Sequence, residues 1–552
     1  MKKIPFYLLI IILAASCNSK ETADRIYINA IIWTGDTANP TATAIAVKDS
    51  LIIYAGDGYE NLKGSNTEVI DLNGQMIVPG FIDNHTHFLT GGYQLASVNL
   101  RTAATQKEFI STLKAFASDA PKDRWIQGGD WDHEAWGGEL PKKEWIDSVT
   151  PDNPVFVSRY DGHMALANSL TLKLAGIDKN TKDPAGGVIV KDPVTGEPTG
   201  VLRDEAMSLV SAIIPEATEN ELDESFARAV REALENGVTE VHDMGSYGGW
   251  TDLATYQRAF KNSDPGLRIY SFVPLSNWQK LAAYVKENGR GNNMLRWGGL
   301  KGFVDGSLGS TTAWFYQPYL DDPTTSGLTI TDTTLLASWI QSADSAGLQV
   351  AVHAIGDRAN DWLHNAFQQT IQNNTKERRF RTEHAQHLTP TAIRKFQQLG
   401  VIPSMQPYHA IDDGRWASKR LDDERLKGTY AFKSLLQNGA MLTFGSDWTV
   451  GPLVPLAGIY AAVTRQTLDG KNPNGWYPEQ KVLVEEALKA YTVNNAYAGF
   501  MENKTGKLKK GFLADFVVLS NDLFKISPEK IMEVKVQRAV INGREVYVKD
   551  KK

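Results

Sequence analysis

The chain has one cysteine, Cys17, and that scarcity removes whole classes of chemistry. No disulfide can form within it, and past Cys17 no thiolate is available as nucleophile or metal ligand. Positive charge is not in excess either: 58 Lys and Arg stand against 64 Asp and Glu, a formal net charge of −6. A nucleic-acid-binding surface leaves a basic footprint, so no nucleic-acid partner is expected. After the N-terminal stretch no apolar run is long enough to span a bilayer. No Gly-x-Gly-x-x-Gly follows an early strand, which weighs against a dinucleotide-binding sheet. Internal repeats and low-complexity tracts are absent as well. What remains, 42% hydrophobic and 22% charged over 552 residues, is the composition of a globular protein with more than one folding unit.

The N-terminus differs from the rest. Lys2 and Lys3 precede an apolar run from Ile4 to Ala15, then small residues, then Cys17. This is the layout of a secretory signal peptide, too short for a comfortable membrane span. Leu13-Ala14-Ala15-Ser16-Cys17 resembles the lipobox of bacterial lipoproteins, with Ala14 where Leu is commoner. The expectation is a lipoprotein signal peptide and lipobox over residues 1–17, with Met1 to Ser16 removed and Cys17 lipidated, and an exported protein tethered to a bacterial membrane on its periplasmic or cell-surface side.

From Arg25 to about Val78, runs rich in Ile, Val and Tyr are separated by Gly, Asp, Asn and Pro, the pattern of short strands and turns. A similar pattern returns in Ala514–Leu519 and Gln537–Tyr547, so residues 25–78 and 501–552 read as two halves of one β domain. Residues 79–500 alternate instead. Strand candidates lie at Ile77–Asp83, Val238–Asp243, Arg268–Val273, Leu300–Asp305, Leu348–His353, Arg379–His384, Val401–Gln406 and Met441–Gly445, with helix-period segments between most of them. Eight strands each followed by a helix predict an α/β fold, a closed (β/α)8 TIM barrel, with an open doubly wound sheet as the alternative. The first connection is far too long for a βα loop and predicts an inserted subdomain at about 97–235, between barrel strands 1 and 2, roofing the site.

The candidate chemistry sits at strand ends. His85 and His87, in Val78-Pro79-Gly80-Phe81-Ile82-Asp83-Asn84-His85-Thr86-His87, leave the first strand on one face, because side chains alternate with a period of two. Two imidazoles so placed suit a divalent metal. Lys301 falls on the fourth strand, His353 ends the fifth, His384 ends the sixth, and Asp447 follows the eighth. That end of a barrel is where the fold places its chemistry.

Together these residues resemble the amidohydrolase superfamily, in particular its family-3 branch of metal-dependent hydrolases. The resemblance runs from about Arg25 to Tyr547. It is carried by the His-x-His stretch, Lys301 with Asp305-Gly306-Ser307-Leu308-Gly309-Ser310, His353-Ala354-Ile355-Gly356-Asp357, Glu383-His384-Ala385, Gly445-Ser446-Asp447, and Gly506–Asp515 near the end. It implies a barrel joined to a composite β-sandwich from both chain ends, and a divalent metal centre of two zinc ions per chain. It also implies metal ligands His85, His87, Lys301, His353, His384 and Asp447, with Lys301 carboxylated as the bridge. The physical account agrees: neutral imidazoles cannot offset two dications, whereas a carbamate and a carboxylate supply hard anionic ligands. Asp447 then takes a proton from the attacking hydroxide and hands it to the leaving amine.

The expected activity is hydrolysis of a C–N bond in a small-molecule, amide-type substrate. A mononuclear deaminase that does not use Lys301 is a rival on the same barrel, and a non-catalytic substrate-binding lipoprotein is a rival of another class. His163, which matches a family motif in the insertion, is a candidate substrate contact, as are His242, His409 and Trp448; His242 and His409 have a second reading, orienting a metal ligand. Trp131 and Trp136 are candidates for either pocket or core. His133 and His387 read as structural, and His364 as helical.

Overall fold

The computed structural model describes residues 21–159, 164–184, 187–245, 249–372 and 377–549. Cys17 and His163 lie outside them. Among the described residues no helix is long and apolar enough to cross a membrane.

Eight parallel strands follow one another around a single sheet in chain order: β1 (Phe81–Thr86), β2 (Val238–Asp243), β3 (Arg268–Pro274), β4 (Leu295–Phe303), β5 (Gln349–Ala354), β6 (Arg381–His384), β7 (Ile402–Met405) and β8 (Thr443–Phe444). The first and last strands meet where Asp447 N donates to His85 O at 2.8 Å and His87 N to Trp448 O at 2.7 Å. The expected barrel is therefore present, with every residue of β1, β2, β5, β6, β7 and β8 buried. Burial on both faces is what a parallel sheet wrapped in helices requires. Those helices begin where the sequence supplies caps. Thr218 and Glu221 form a capping box on Glu219–Glu235, Asp332 caps Thr333–Ser345, and Thr389 caps Pro390–Leu399 with Pro at its start.

One strand candidate divides. Ile77–Asp83 is not a single strand; Met76–Pro79 belongs to the terminal β domain and Phe81–Thr86 to the barrel. The break falls at Gly80, where any Cβ would collide with the Thr239 side chain. Met76–Pro79 lies between Ile31–Trp33 and Phe516–Leu519, so strands from both chain ends share one six-stranded sheet. A four-stranded sheet from residues 25–71 faces it, and Tyr27, Ile45, Ile52, Ile77, Phe516 and Val540 pack between them. Arg268 on β3, fully buried, pairs with Asp515 at 2.5 and 2.9 Å and fixes this sandwich to the barrel.

The insertion carries its own six-stranded sheet, from Val98–Asn99 to Pro198–Asp204, with two small cores of its own. Trp131 is buried in one of these cores with Trp136 packed against it, so neither lines the site. No described residue of the insertion lines the cavity over the barrel's C-terminal end.

Candidate metal centre

The histidine rings converge because each belongs to a strand end on the same rim. His85 closes β1, and His87 follows at the start of helix Phe88–Leu95, their rings 5.7 Å apart. His384 lies 4.8 Å from His85 and 4.6 Å from His353, ring centre to ring centre. Asp447 Oδ1 stands 3.5 Å from His85 Nε2 and 3.3 Å from His87 Nε2. His85, His384 and Asp447 each offer a ligand atom, and all three atoms lie within 4.8 Å of one another. Lys301 Nζ is 3.1 Å from His85 Nε2, on a side chain only 3% exposed.

Outer oxygens set the tautomer of each ring. His85 Nδ1 is 2.5 Å from Glu383 Oε2, His87 Nδ1 is 2.5 Å from Gly245 O, and His384 Nδ1 is 2.9 Å from Gln406 Oε1. These oxygens only accept, so Nδ1 carries the proton and Nε2 presents its lone pair to the site. His353 is turned the other way: Nε2 donates to Gly306 O at 3.0 Å, which leaves the lone pair on Nδ1. Burial pushes His85 down to about 4 and His353 to about 3, with the Lys301 ammonium adding to both, so the rings are neutral at pH 7. Burial alone would raise Asp447, but the imidazoles of His85, His87 and His384 hold it well below the ordinary carboxylate range. Burial brings Lys301 down to about 8. Among the described residues no carboxylate lies within ion-pair distance of its amine.

Neutral imidazoles, an ionised carboxylate and a lysine depressed toward neutrality form a donor set that fits a divalent metal. Asp447 Oδ1 and His409 Nε2 support it: both are buried with no hydrogen bond among the described residues. Backbone strain marks the same rim. Asp447, His384 and Ala385 have φ of 56°, 72° and 46°, the left-handed region that L-residues seldom enter.

Beneath the rim runs a column of buried charge. Arg296 pairs with Glu240, whose Oε1 is 3.4 Å from His242 Nε2; His242 Nδ1 is 3.2 Å from Arg381, and Arg381 Nε is 2.7 Å from Glu383 Oε1. Ser404 Oγ also donates to Glu383 at 2.6 Å. Burial would raise Glu383, yet Arg381 and His85 hold it well below its usual range. Arg296 opens at the far end onto a separate cavity of about 440 Å³, with none of the clustered histidines in its walls.

His242 is fully buried in this column and is linked to His85 through Arg381 and Glu383. Trp448 is also buried. Its ring packs on Phe88 at 5.9 Å and against Gly91, in the core behind the rim. His409 does line the cavity, with Nε2 3.9 Å from Asp447 Oδ2. His387 bonds Thr429 and His364 lies within helix Asp357–Ile371. Sequence reasoning quoted Glu383 but gave it no role, and it passed over Phe303 and Trp416 in the cavity wall. For Glu383 the signal was present, since alternation turns Arg381 and Glu383 to one face of β6.

The amidohydrolase family model matches residues 68–547. The chain belongs to the amidohydrolase family. This amidohydrolase is 40% identical over 541 residues to Protein LONG AFTER FAR-RED 3 of Arabidopsis thaliana, covering 95% of this chain and 92% of that protein. It is 27% identical to an N-substituted formamide deformylase of Arthrobacter pascens, over 95% and 98% of the two chains. A metal-dependent hydrolase of unassigned activity from Pyrococcus horikoshii OT3 has the same architecture, with a TM-score of 0.75 and 29% identity over 92% of this amidohydrolase and 99% of that structure. The amidohydrolase is accordingly a metal-dependent hydrolase.

Proposed function

We propose that this amidohydrolase cleaves the C–N bond of an amide-type small molecule at a centre of two zinc ions. His85, His87, His353, His384, Asp447 and a carboxylated Lys301 would hold them. The observation that carries this reading is Lys301: a buried amine, with no carboxylate at ion-pair distance among the described residues, set 3.1 Å from a ring whose lone pair faces it. An ammonium there would repel any dication, whereas a neutral amine adds carbon dioxide and becomes an anionic ligand. Bound there, the metals supply Lewis acidity to the carbonyl and acidify a water. The chain supplies the rest. Asp447, ionised and facing the cavity, takes the proton of the attacking water and delivers it to the leaving nitrogen. His409 is placed to donate a hydrogen bond to the carbonyl oxygen as negative charge grows on it. Cys17, lipidated, would tether the enzyme to a membrane.

A second reading uses one metal on His85, His384 and Asp447, as in a deaminase, and the compactness of that trio favours it. Elemental analysis of Lys301→Ala separates the two. Two zinc ions per wild-type chain with at least one lost in the variant, together with its turnover of an N-substituted formamide, is the expected result. Two metals and normal turnover in Lys301→Ala would show the lysine to be a bystander.

A further inference from the structure

The walls of the cavity restrict what kind of amide can enter. The space over His87, His353, His384 and Asp447 is about 560 Å³. Its outer wall includes Leu308, Trp416, Val450 and the carboxylates Asp412 and Asp413. Asp412 pairs with Arg415, and Asp413 accepts from Tyr430 Oη at 2.6 Å, so neither seeks a substrate cation. Among the described residues no arginine or lysine lines this space. A second cavity of about 420 Å³ shares Phe303 with the first and reaches Lys301. Leu275, Ile330, Leu335 and Trp339 line it, and its one carboxylate, Asp332, is engaged in capping helix Thr333–Ser345.

Resting on the amide-hydrolase reading, we infer that the substrates are amides whose non-reacting part is apolar and carries no carboxylate, seated in the cavity between Phe303 and Trp339. N-acyl amino acids are rejected. A carboxylate entering the first space leaves water and meets no arginine or lysine among its described walls, and in the second Leu275, Ile330 and Leu335 offer it no hydrogen bond. Burying an uncompensated charge is penalised far more than losing a methylene, so the discrimination is on the order of 100-fold or more in kcat/KM.

N-benzylformamide and N-formylphenylglycine differ only by that carboxylate, and the zinc-loaded enzyme is expected to prefer the first by about 100-fold. Val450→Arg puts a guanidinium at a position 67% exposed on the wall and is expected to narrow the ratio by about tenfold. Leu335→Asp is expected to remove the preference for N-benzyl- over N-methylformamide. Calorimetric binding of benzohydroxamate against 4-carboxybenzohydroxamate reads the same charge preference without turnover. If neither formamide is cleaved but the neutral hydroxamate still binds at least tenfold tighter, amide hydrolysis falls and the charge selection stands. Equal or tighter binding of the carboxylated hydroxamate, or equal kcat/KM for the two formamides, overturns the inference.

Discussion

Replacing Glu383 by Gln tests whether the buried column governs the metal centre. In the native site Glu383 Oε2 accepts from His85 Nδ1 and Ser404 Oγ while Oε1 pairs with Arg381. Gln keeps one acceptor and gains a donor. If its oxygen stays with Arg381, its NH2 faces His85 Nδ1, the proton moves to Nε2, and that nitrogen no longer presents a lone pair. If the amide flips, His85 keeps its tautomer but fully buried Arg381 loses its anion. The first arrangement weakens the metal by about 10–100-fold, the usual effect of losing the outer partner of a ligating histidine. The second destabilises the fold by about 3–5 kcal/mol, as when one half of a buried ion pair is removed. Zinc affinity by chelator competition and melting temperature of the metal-free protein read the two separately. Affinity within twofold of wild type, with an unchanged melting temperature, would refute the reasoning.

Asp447→Asn should retain the fold, because asparagine tolerates the left-handed backbone at φ 56°, while turnover falls by about 10²–10⁴; near-normal kcat would remove Asp447 as the proton carrier. His364→Leu should flatten acid denaturation. Burial pushes this ring down to about 3, and it packs on Phe396 with neither nitrogen hydrogen-bonded among the described residues. Between pH 6.5 and 3 the unfolded chain binds a proton that the fold refuses, so wild-type stability drops as pH falls, by about 1.4 kcal/mol per unit from this residue. The variant's advantage in urea midpoint should therefore be larger at pH 5 than at pH 7.5, and an equal advantage at both would contradict the assignment. Cys17→Ser should release the protein from the membrane fraction; equal blotting of both forms in the soluble fraction would reject the lipid anchor.

The barrel was legible because strand-like segments recur with helix-period segments between most of them, and several carry a polar residue at their end, as Phe81–Thr86 carries His85 and Gln349–Ala354 carries His353. The rim histidines were legible for the same reason, since a strand end fixes both the height and the face of its side chain. What lay beyond reach were contacts between distant strands. Nothing in the neighbours of His242 shows that Arg381, 139 residues later, lies against its ring. Trp448 follows Asp447 directly, yet the left-handed turn at Asp447 sends the indole back over Gly91 rather than into the cavity. The motif Asp305-Gly306 likewise reads only as a turn in one dimension. In three, Asp305 gathers the backbone N–H groups of Trp314, Ile355 and Gly356 at 2.8 to 3.0 Å and so ties the loops after β4 and β5 together.

The division of Met76–Thr86 between two sheets has a bearing on how the chain comes to be folded. Met76–Pro79 is an interior strand of its sheet, but its neighbour Phe516–Leu519 is synthesised on the order of 400 residues later. At ribosomal speeds of about 5–20 residues per second, that edge waits roughly 20–90 s for its partner. For that interval Ile77 and Val78 present an apolar strand edge to any other chain nearby, an open invitation to mispairing. The strand waiting there is separated from the metal-facing strand only by Gly80, so a wrong partner at the edge would also misplace His85.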